Sequence, residues 1–315
     1  MRTFCTIITS DYFPYAITLY RSILELHPAE TLCILVCDEG KITLDQEKFP
    51  NVQLHRFNDI FKEYKADELI VKYRNDKDAL RWSLKPVYIN YLLGKDFEKV
   101  LYTDCDLFFF ADYGFLFEKL DQYNILLTPG NTTGNPYVSE EEFLSGYRYG
   151  FYNAGFIGAN TKGIDALKWW ANCCSYRVET SFEEGLFVDQ RYLDALPVRF
   201  PNIGIIRHKG CNIAFWNQHE CKRVLVSNKV LINGEDPVIF IHFTNKYIPE
   251  LLVGHDPLIY PFYLIYEATF SKSGKNIKEF IPGLPEYKKS PKLIRLKRKL
   301  LIRTRIKRWL FKLSQ

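Results

Sequence analysis

The sequence predicts a single α/β domain built on a mainly parallel sheet with helices on both faces, followed by a basic helical tail. Three observations predict it. Short apolar runs of strand character alternate with stretches of helical periodicity, the pattern of repeated strand–helix–strand units. Polar and acidic clusters fall directly after the strand-like runs, where ligands of such sheets bind. The charge is also divided. Twelve of the 42 Lys and Arg, but none of the 37 Asp and Glu, follow Glu286, so residues 1–286 carry 30 basic and 37 acidic groups, a net of −7. A domain over residues 1–286 and a tail over 287–315 are the expected units.

The elements follow in order. Thr3–Thr9 reads as a buried strand, and Ala16, Leu19, Tyr20, Ile23 and Leu24 recur at helical spacing. Leu32–Cys37 is a second strand, ending at Asp38-Glu39-Gly40, and Val52–Phe57 a third. Leu80–Leu93 has helical periodicity interrupted at Pro86, since proline lacks an N–H to donate. Lys99–Thr103 is a strand that runs into Asp104-Cys105-Asp106. Thr128–Gly150, rich in Gly, Asn, Pro and Ser, reads as a mobile loop or lid. Ile164–Cys174 reads as a helix and Val238–Phe243 as a late strand. From Pro291 to Leu313, apolar Leu293, Leu296, Leu300, Leu301, Trp309 and Leu310 interleave with basic residues as in an amphipathic helix.

Composition narrows the class. With 47% hydrophobic and 25% charged residues over 315 positions, the chain has the makings of an ordinary globular core and is not a disordered protein. No apolar run approaches the ~20 residues of a membrane span. The eight cysteines form no C-x-x-C pair, and several lie in apolar strands, so neither a zinc site nor a disulfide framework is expected. The short apolar patch after Arg2 reads as a strand, not a secretory signal. A reducing, cytoplasmic setting is therefore expected.

Asp104 and Asp106 carry the first chemical signal. In an extended chain residues i and i+2 face the same side, so the two carboxylates converge. Paired carboxylates repel unless a cation neutralises them, and Mg²⁺ or Mn²⁺ does so with coordination positions to spare. Two aspartates at a strand end can equally be turn residues.

The run Val100-Leu101-Tyr102-Thr103-Asp104-Cys105-Asp106-Leu107 resembles the donor-binding signature of nucleotide-sugar glycosyltransferases. Leu84-Lys85-Pro86 precedes it, and Phe151-Tyr152-Asn153-Ala154-Gly155-Phe156, Phe187-Val188-Asp189-Gln190 and His242 follow in order. Over roughly residues 3–246 the chain is similar to the retaining galactosyl- and glucosyltransferases of glycosyltransferase family 8. The resemblance implies a Rossmann-like nucleotide-sugar transferase domain of glycosyltransferase A type and a role in polysaccharide biosynthesis. It further implies transfer of a hexose from UDP-glucose or UDP-galactose to a glycan or glycolipid, with retention and with Mn²⁺ or Mg²⁺.

Residue by residue, it places Thr9, Asp11 and Tyr12 at the nucleotide, with Tyr12 stacking on the base. Asp104, Asp106 and His242 become metal ligands, and Asp104 and Cys105 meet the donor. Lys85 faces the diphosphate or donor sugar, with Arg81 one turn earlier as the weaker alternative. Asn153, Asp189 and Gln190 line the sugar pocket, and Asp189, Gln190 and Lys85 are the expected catalytic residues. The family's glycine and later lysine after the histidine are replaced by His242-Phe243-Thr244-Asn245-Lys246, so Lys246 takes the phosphate-contacting role only in part. The run Gly210–Asn217 also departs from the family and points to the acceptor side.

The basic tail suits an anionic membrane surface, with the enzyme peripheral on the inner face of the cell membrane. Nucleic acid is not expected, because the acidic body offers no second basic element. Two other classes compete. A sugar-nucleotide nucleotidyltransferase would need a glycine-rich basic loop after the first strand, where Ser10–Tyr15 is aromatic. A non-catalytic sugar-nucleotide binder would not need the full set of polar residues.

Overall fold

A computed structural model of the protein describes residues 1–285, so the expected tail helix at 291–313 lies outside the described residues. Seven strands form the main sheet among those residues: β1 (Arg2–Ile8), β2 (Leu32–Val36), β3 (Val52–His55), β4 (Lys99–Thr103), β6 (Ile125–Pro129), β7 (Tyr152–Asn160) and Ile203–Ile205. Their spatial order is Ile203–Ile205, β6, β7, β4, β1, β2, β3. β1 pairs parallel with both β2 and β4, β2 with β3, and Ile203–Ile205 with β6. Only β7 runs against its neighbours β4 and β6. The sheet is thus mainly parallel, as expected, with one antiparallel strand that sequence reading had treated only as a motif.

The central position of β1 follows from its composition. Phe4 and Ile8 enter one apolar core, Cys5 and Ile7 the other, as period-two alternation requires of a strand covered on both faces. The Phe13–Leu26 and Tyr260–Ser271 helices pack in the first core, the Lys85–Leu93 and Ile164–Tyr176 helices in the second. Six of the eight cysteines are buried in these cores beside apolar neighbours, and all eight are free thiols.

Two expectations are corrected. The helical stretch at 80–93 is two helices, Lys77–Ser83 and Lys85–Leu93, parted at Leu84. Asp76 caps the first by accepting from the N–H groups of Asp78 and Ala79, and Pro86 sits in the first turn of the second, where a missing N–H leaves no carbonyl unpaired. The stretch 128–150 is not one loop. It completes β6, and after a turn forms the helix Glu140–Tyr149. Ser139 accepts from Glu142 N, and three glutamates in the first turn complement the helix dipole.

A two-stranded ribbon stands beside the sheet. In it β5 (Leu107–Phe109) pairs antiparallel with Phe240–His242, setting His242 opposite Leu107. The residue before Leu107 is Asp106, so this register brings the late histidine to the acidic pair. Among the described residues no helix is long and apolar enough to cross a membrane.

A buried ion pair braces the segment behind this ribbon. Arg223 Nε lies 2.9 Å from Asp256 Oδ2, with both side chains about 5% exposed or less. Tyr247 Oη donates to the same carboxylate at 2.7 Å, and Arg223 Nη2 donates to Ala214 O. Breaking one partner of a buried pair strands the other charge. Arg223→Ala should therefore cost about 3–5 kcal/mol of stability in urea unfolding at neutral pH. A loss below about 1 kcal/mol would show that water screens the pair.

Candidate active site

The site opens beyond the carboxyl ends of β1 and β4, where parallel-sheet ligands are expected. One ligand atom from each of Asp104, Asp106 and His242 lies within 4.8 Å of the others. His242 Nε2 is 3.0 Å from Asp106 Oδ1. His242 is buried and its Nδ1 has no hydrogen-bond partner among the described residues, while both aspartates remain partly open to solvent. Burial pulls the His242 pKa down, but Asp106 outweighs it and leaves the imidazole raised. Burial raises Asp106, and the same histidine more than offsets this and holds the carboxyl below its usual range.

Asp104 is held from three sides. Its N–H donates to Gly155 O at 2.8 Å, Tyr102 Oη donates to its Oδ1 at 2.7 Å, and Lys85 Nζ is 3.4 Å from that oxygen. Lys85 also donates to Ala154 O at 3.1 Å and lies 3.3 Å from Asp189 Oδ2. The latter contact lacks hydrogen-bond alignment, so it is electrostatic rather than a formed bond. Lys85 is 3% exposed and Asp189 1%. Burial pulls Lys85 down, yet Asp104 and Asp189 together keep its pKa raised. Burial pushes Asp189 up to about 6, with Asp104 adding to the rise and Lys85 opposing it.

Lys85 and Asp189 therefore stand behind the metal-type carboxylates, not in the open cleft. Asp189 is fixed by its backbone, whose carbonyl accepts from buried Trp170 Nε1 at 2.9 Å. Val188 before it holds φ +42°, a left-handed conformation that a β-branched residue adopts only under constraint. Gln190 spends both ends of its amide on the scaffold. Its Oε1 accepts from Asn153 Nδ2 at 3.1 Å and Ala154 N at 3.0 Å, and its Nε2 donates to Tyr149 O at 2.9 Å. Asn153 Oδ1 in turn accepts from Gly155 N.

At the end of β1, Thr9 is buried and its carbonyl accepts from Tyr12 N. Asp11 is exposed, and with Ser10 and Tyr12 it lines a pocket of about 640 Å³ completed by residues 41–43, Lys275, Glu279 and Phe280. Tyr12 stacks on Tyr15 with centroids 5.3 Å apart, and the Arg81 guanidinium lies 5.0 Å from its ring centre. Arg81 pairs with Asp78 and keeps a buried Nε without a partner among the described residues. Cys105 has a buried thiol packed in the first core. Lys246 is exposed at the start of the Tyr247–Val253 helix and makes no ion pair among the described residues.

Several residues escaped the sequence reading. Tyr102 was quoted only as part of a strand, although a tyrosine two residues before an aspartate shares its face. Trp170 sits in a helix far away in sequence. Trp216, in the divergent run, donates to Gly130 O at 3.0 Å and meets His242 edge-on at 5.5 Å. Its neighbour Asn212 holds φ +61° with a buried, unpartnered Oδ1.

No protein-family model matches the chain. Two uncharacterized proteins of Bacillus subtilis (strain 168) are similar to it in sequence. YfnF is 28% identical over 254 residues, 79% of this chain and 82% of its own length. YfnD is 29% identical over 252 residues, 76% of each. Among solved structures, apo mouse xyloside xylosyltransferase 1 superposes with a TM-score of 0.51 at 12% identity, covering 78% of this chain and 99% of that one. The fold is therefore of the glycosyltransferase A type, and it carries an Asp-Asp-His cluster fit for a metal ion.

Gly155 makes that cluster possible. A Cβ there would lie 2.6 Å from His242 Cε1, 2.7 Å from Asn153 Oδ1 and 3.0 Å from Asp104 Oδ2. Gly155→Ala should weaken Mn²⁺ binding by about 10–100-fold in calorimetric titration while the far-UV spectrum is preserved. Unchanged affinity would mean that the triad tolerates the added methyl and is not the ion's site. Metal must also compete with the proton that Asp106 favours on His242, so Mn²⁺ affinity of the unsubstituted protein should rise as pH rises through that transition.

Proposed function

We propose that this protein is a glycosyltransferase that moves a hexose from a nucleotide diphosphate sugar, UDP-glucose or UDP-galactose, to a glycan or glycolipid with retention at the anomeric carbon. The observation that carries the proposal is the convergence of Asp104, Asp106 and His242 at the end of β4 in a glycosyltransferase A fold. Two carboxylates and an imidazole suit Mn²⁺ or Mg²⁺. The orphaned His242 Nδ1 and the space kept open by Gly155 fit an ion there. A divalent cation in that place would supply charge neutralisation for the donor diphosphate.

The chain's own residues divide the remaining work. Ser10, Asp11 and Tyr12 line a pocket of nucleoside size at the end of β1, with Thr9 beneath them. Tyr12 is already engaged by Arg81, so a base stacking there shares the ring with that guanidinium or displaces it. Lys85 keeps Asp104 ionised and oriented, and its charge lies close enough to favour a departing diphosphate. Asp189 places negative charge behind the sugar site, where it steadies positive charge developing at the anomeric carbon. Gln190 orients Asn153, whose amide offers partners to sugar hydroxyls. Cys105 contributes through its main chain, and Lys246 is free to swing toward phosphate.

No side chain stands out as a base opposite the leaving group, which favours same-face attack with the leaving phosphate taking the acceptor proton. The aromatic Ser10–Tyr15 turn, with no glycine-rich phosphate loop, weighs against a nucleotidyltransferase. The basic tail supports peripheral association with anionic membrane on the cytoplasmic side.

Incubated with UDP-glucose or UDP-galactose and Mn²⁺, the protein should release UDP, and Asp106→Asn should abolish that release while remaining folded. Retained activity in that variant would refute the metal site. Gln190→Ala should lower kcat more than it raises KM. NMR of the first-formed product from an α-linked donor should show an α linkage; a β linkage would overturn retention. Deleting residues 288–315 should release the protein from anionic vesicles and spare donor hydrolysis, and continued co-sedimentation would exclude the tail as the anchor.

A further inference from the structure

We infer that an exposed aromatic surface formed by Tyr147, Tyr149, Phe151 and Phe182 binds a chain of neutral sugars, so that the acceptor is an oligosaccharide or polysaccharide and not a single sugar or a bare lipid headgroup. The inference rests on the glycosyltransferase reading above and names the acceptor class of the same site.

The four rings are 41–55% exposed. Large apolar side chains scattered singly over a surface are ordinary, but a contiguous set marks an interaction site. These are contiguous. Tyr147 meets Phe151 edge-on at 5.3 Å, and Phe143 lies 5.1 Å from Tyr147. Tyr149 meets Phe182 at 5.6 Å and Phe187 at 4.8 Å. The rings thus brace one another on the Glu140–Tyr149 helix, the start of β7 and the hairpin of residues 180–187.

The surface begins at the proposed sugar site. Tyr149 O accepts from Gln190 Nε2, Phe187 precedes Asp189 by two residues, and Phe151 precedes Asn153 by two. A chain whose terminal hydroxyl is presented beside Asp189 and Asn153 would have its preceding units over these rings.

The chemistry of the surface selects among occupants. A pyranose presents a face of polarised C–H groups that an electron-rich ring face attracts, while its hydroxyls stay in water. Aromatic rings serve this better than the aliphatic side chains of an ordinary protein contact. Exposed Glu140, Glu141 and Glu183 border the rings, against one arginine, Arg148, in the same helix. That border repels anionic lipid and nucleic acid, while a neutral glycan carries no charge to be repelled.

The test uses the full-length protein and the neutral hexasaccharides maltohexaose, cellohexaose and β-1,4-galactohexaose in saturation-transfer NMR. Anionic phosphatidylglycerol vesicles serve as the competing ligand. At least one hexasaccharide should receive saturation, concentrated on its ring C–H protons. The double variant Tyr147→Ala/Phe182→Ala should weaken that binding by about tenfold. Metal-dependent donor hydrolysis should stay unchanged, because neither side chain touches the metal cluster or the nucleotide pocket.

Failure of all three hexasaccharides to bind overturns the inference, as does binding that survives the double substitution. Loss of vesicle binding in the double variant, with glycan binding intact, assigns the surface to lipid and also overturns it. Donor hydrolysis is measured on the same samples. Glycan binding without hydrolysis defeats the enzymatic reading alone, and hydrolysis without glycan binding defeats this inference alone.

Discussion

A lysine ammonium taken out of water must find anions, and in this fold Lys85 finds Asp104 and Asp189. Most of the site depends on that contact. Lys85 enters from the first turn of a helix whose start is set by the break at Leu84, and it crosses to the first residue after β4. Its third partner, Ala154 O, belongs to β7, the one antiparallel strand of the sheet. One cation therefore ties a helix, a strand end and the reversed strand to a single point. Removing it would leave two carboxylates with little to offset their repulsion, one of them almost wholly buried.

The balance of charge at that point explains the division of labour between the aspartates. Asp189 is enclosed, with its proton affinity raised by burial and by Asp104. Asp104 and Asp106 keep solvent exposure and face His242. The enclosed group acts through its field and the open pair can exchange ligands. Asp189 is also where the backbone is least relaxed, with Val188 at positive φ and Trp170 clamping the carbonyl. Strain of that kind persists only where surrounding packing over-determines it, and here the packing is a buried tryptophan in the second core.

The parts of this arrangement that sequence makes legible are the local ones. Alternation in β1 and β4 and the i, i+2 relation of Asp104 and Asp106 follow from chain geometry, and both are found in place. His242 was reached by resemblance, since its approach depends on a ribbon pairing between segments far apart in sequence. The helix at 140–149 was hidden by Gly146 and by the polar residues around it, although Ser139 and three glutamates form a capping signal in plain order. Gln190 was read as a group facing the sugar, and only coordinates show its amide spent on Asn153, Ala154 and Tyr149. Propensity and periodicity report on neighbours along the chain, whereas the partners of a buried polar group are set by topology.

The same distinction bears on the two sides of the cleft. On the donor side the polar groups are buried, mutually bonded and held by residues from several elements, as charge placed to the accuracy of a reaction requires. On the other side, Trp216 leans on His242 from a segment braced by Arg223, and aromatic rings stand half in water. A donor that always carries the same diphosphate rewards a rigid cradle. An acceptor that changes length with each addition is better met by ring faces that bind without fixed hydrogen-bond geometry, at a cost in exposed apolar area that the acidic border keeps soluble. The rigidity of one side and the openness of the other are thus two answers to one requirement, that a small invariant leaving group and a long variable chain meet at a single carbon atom.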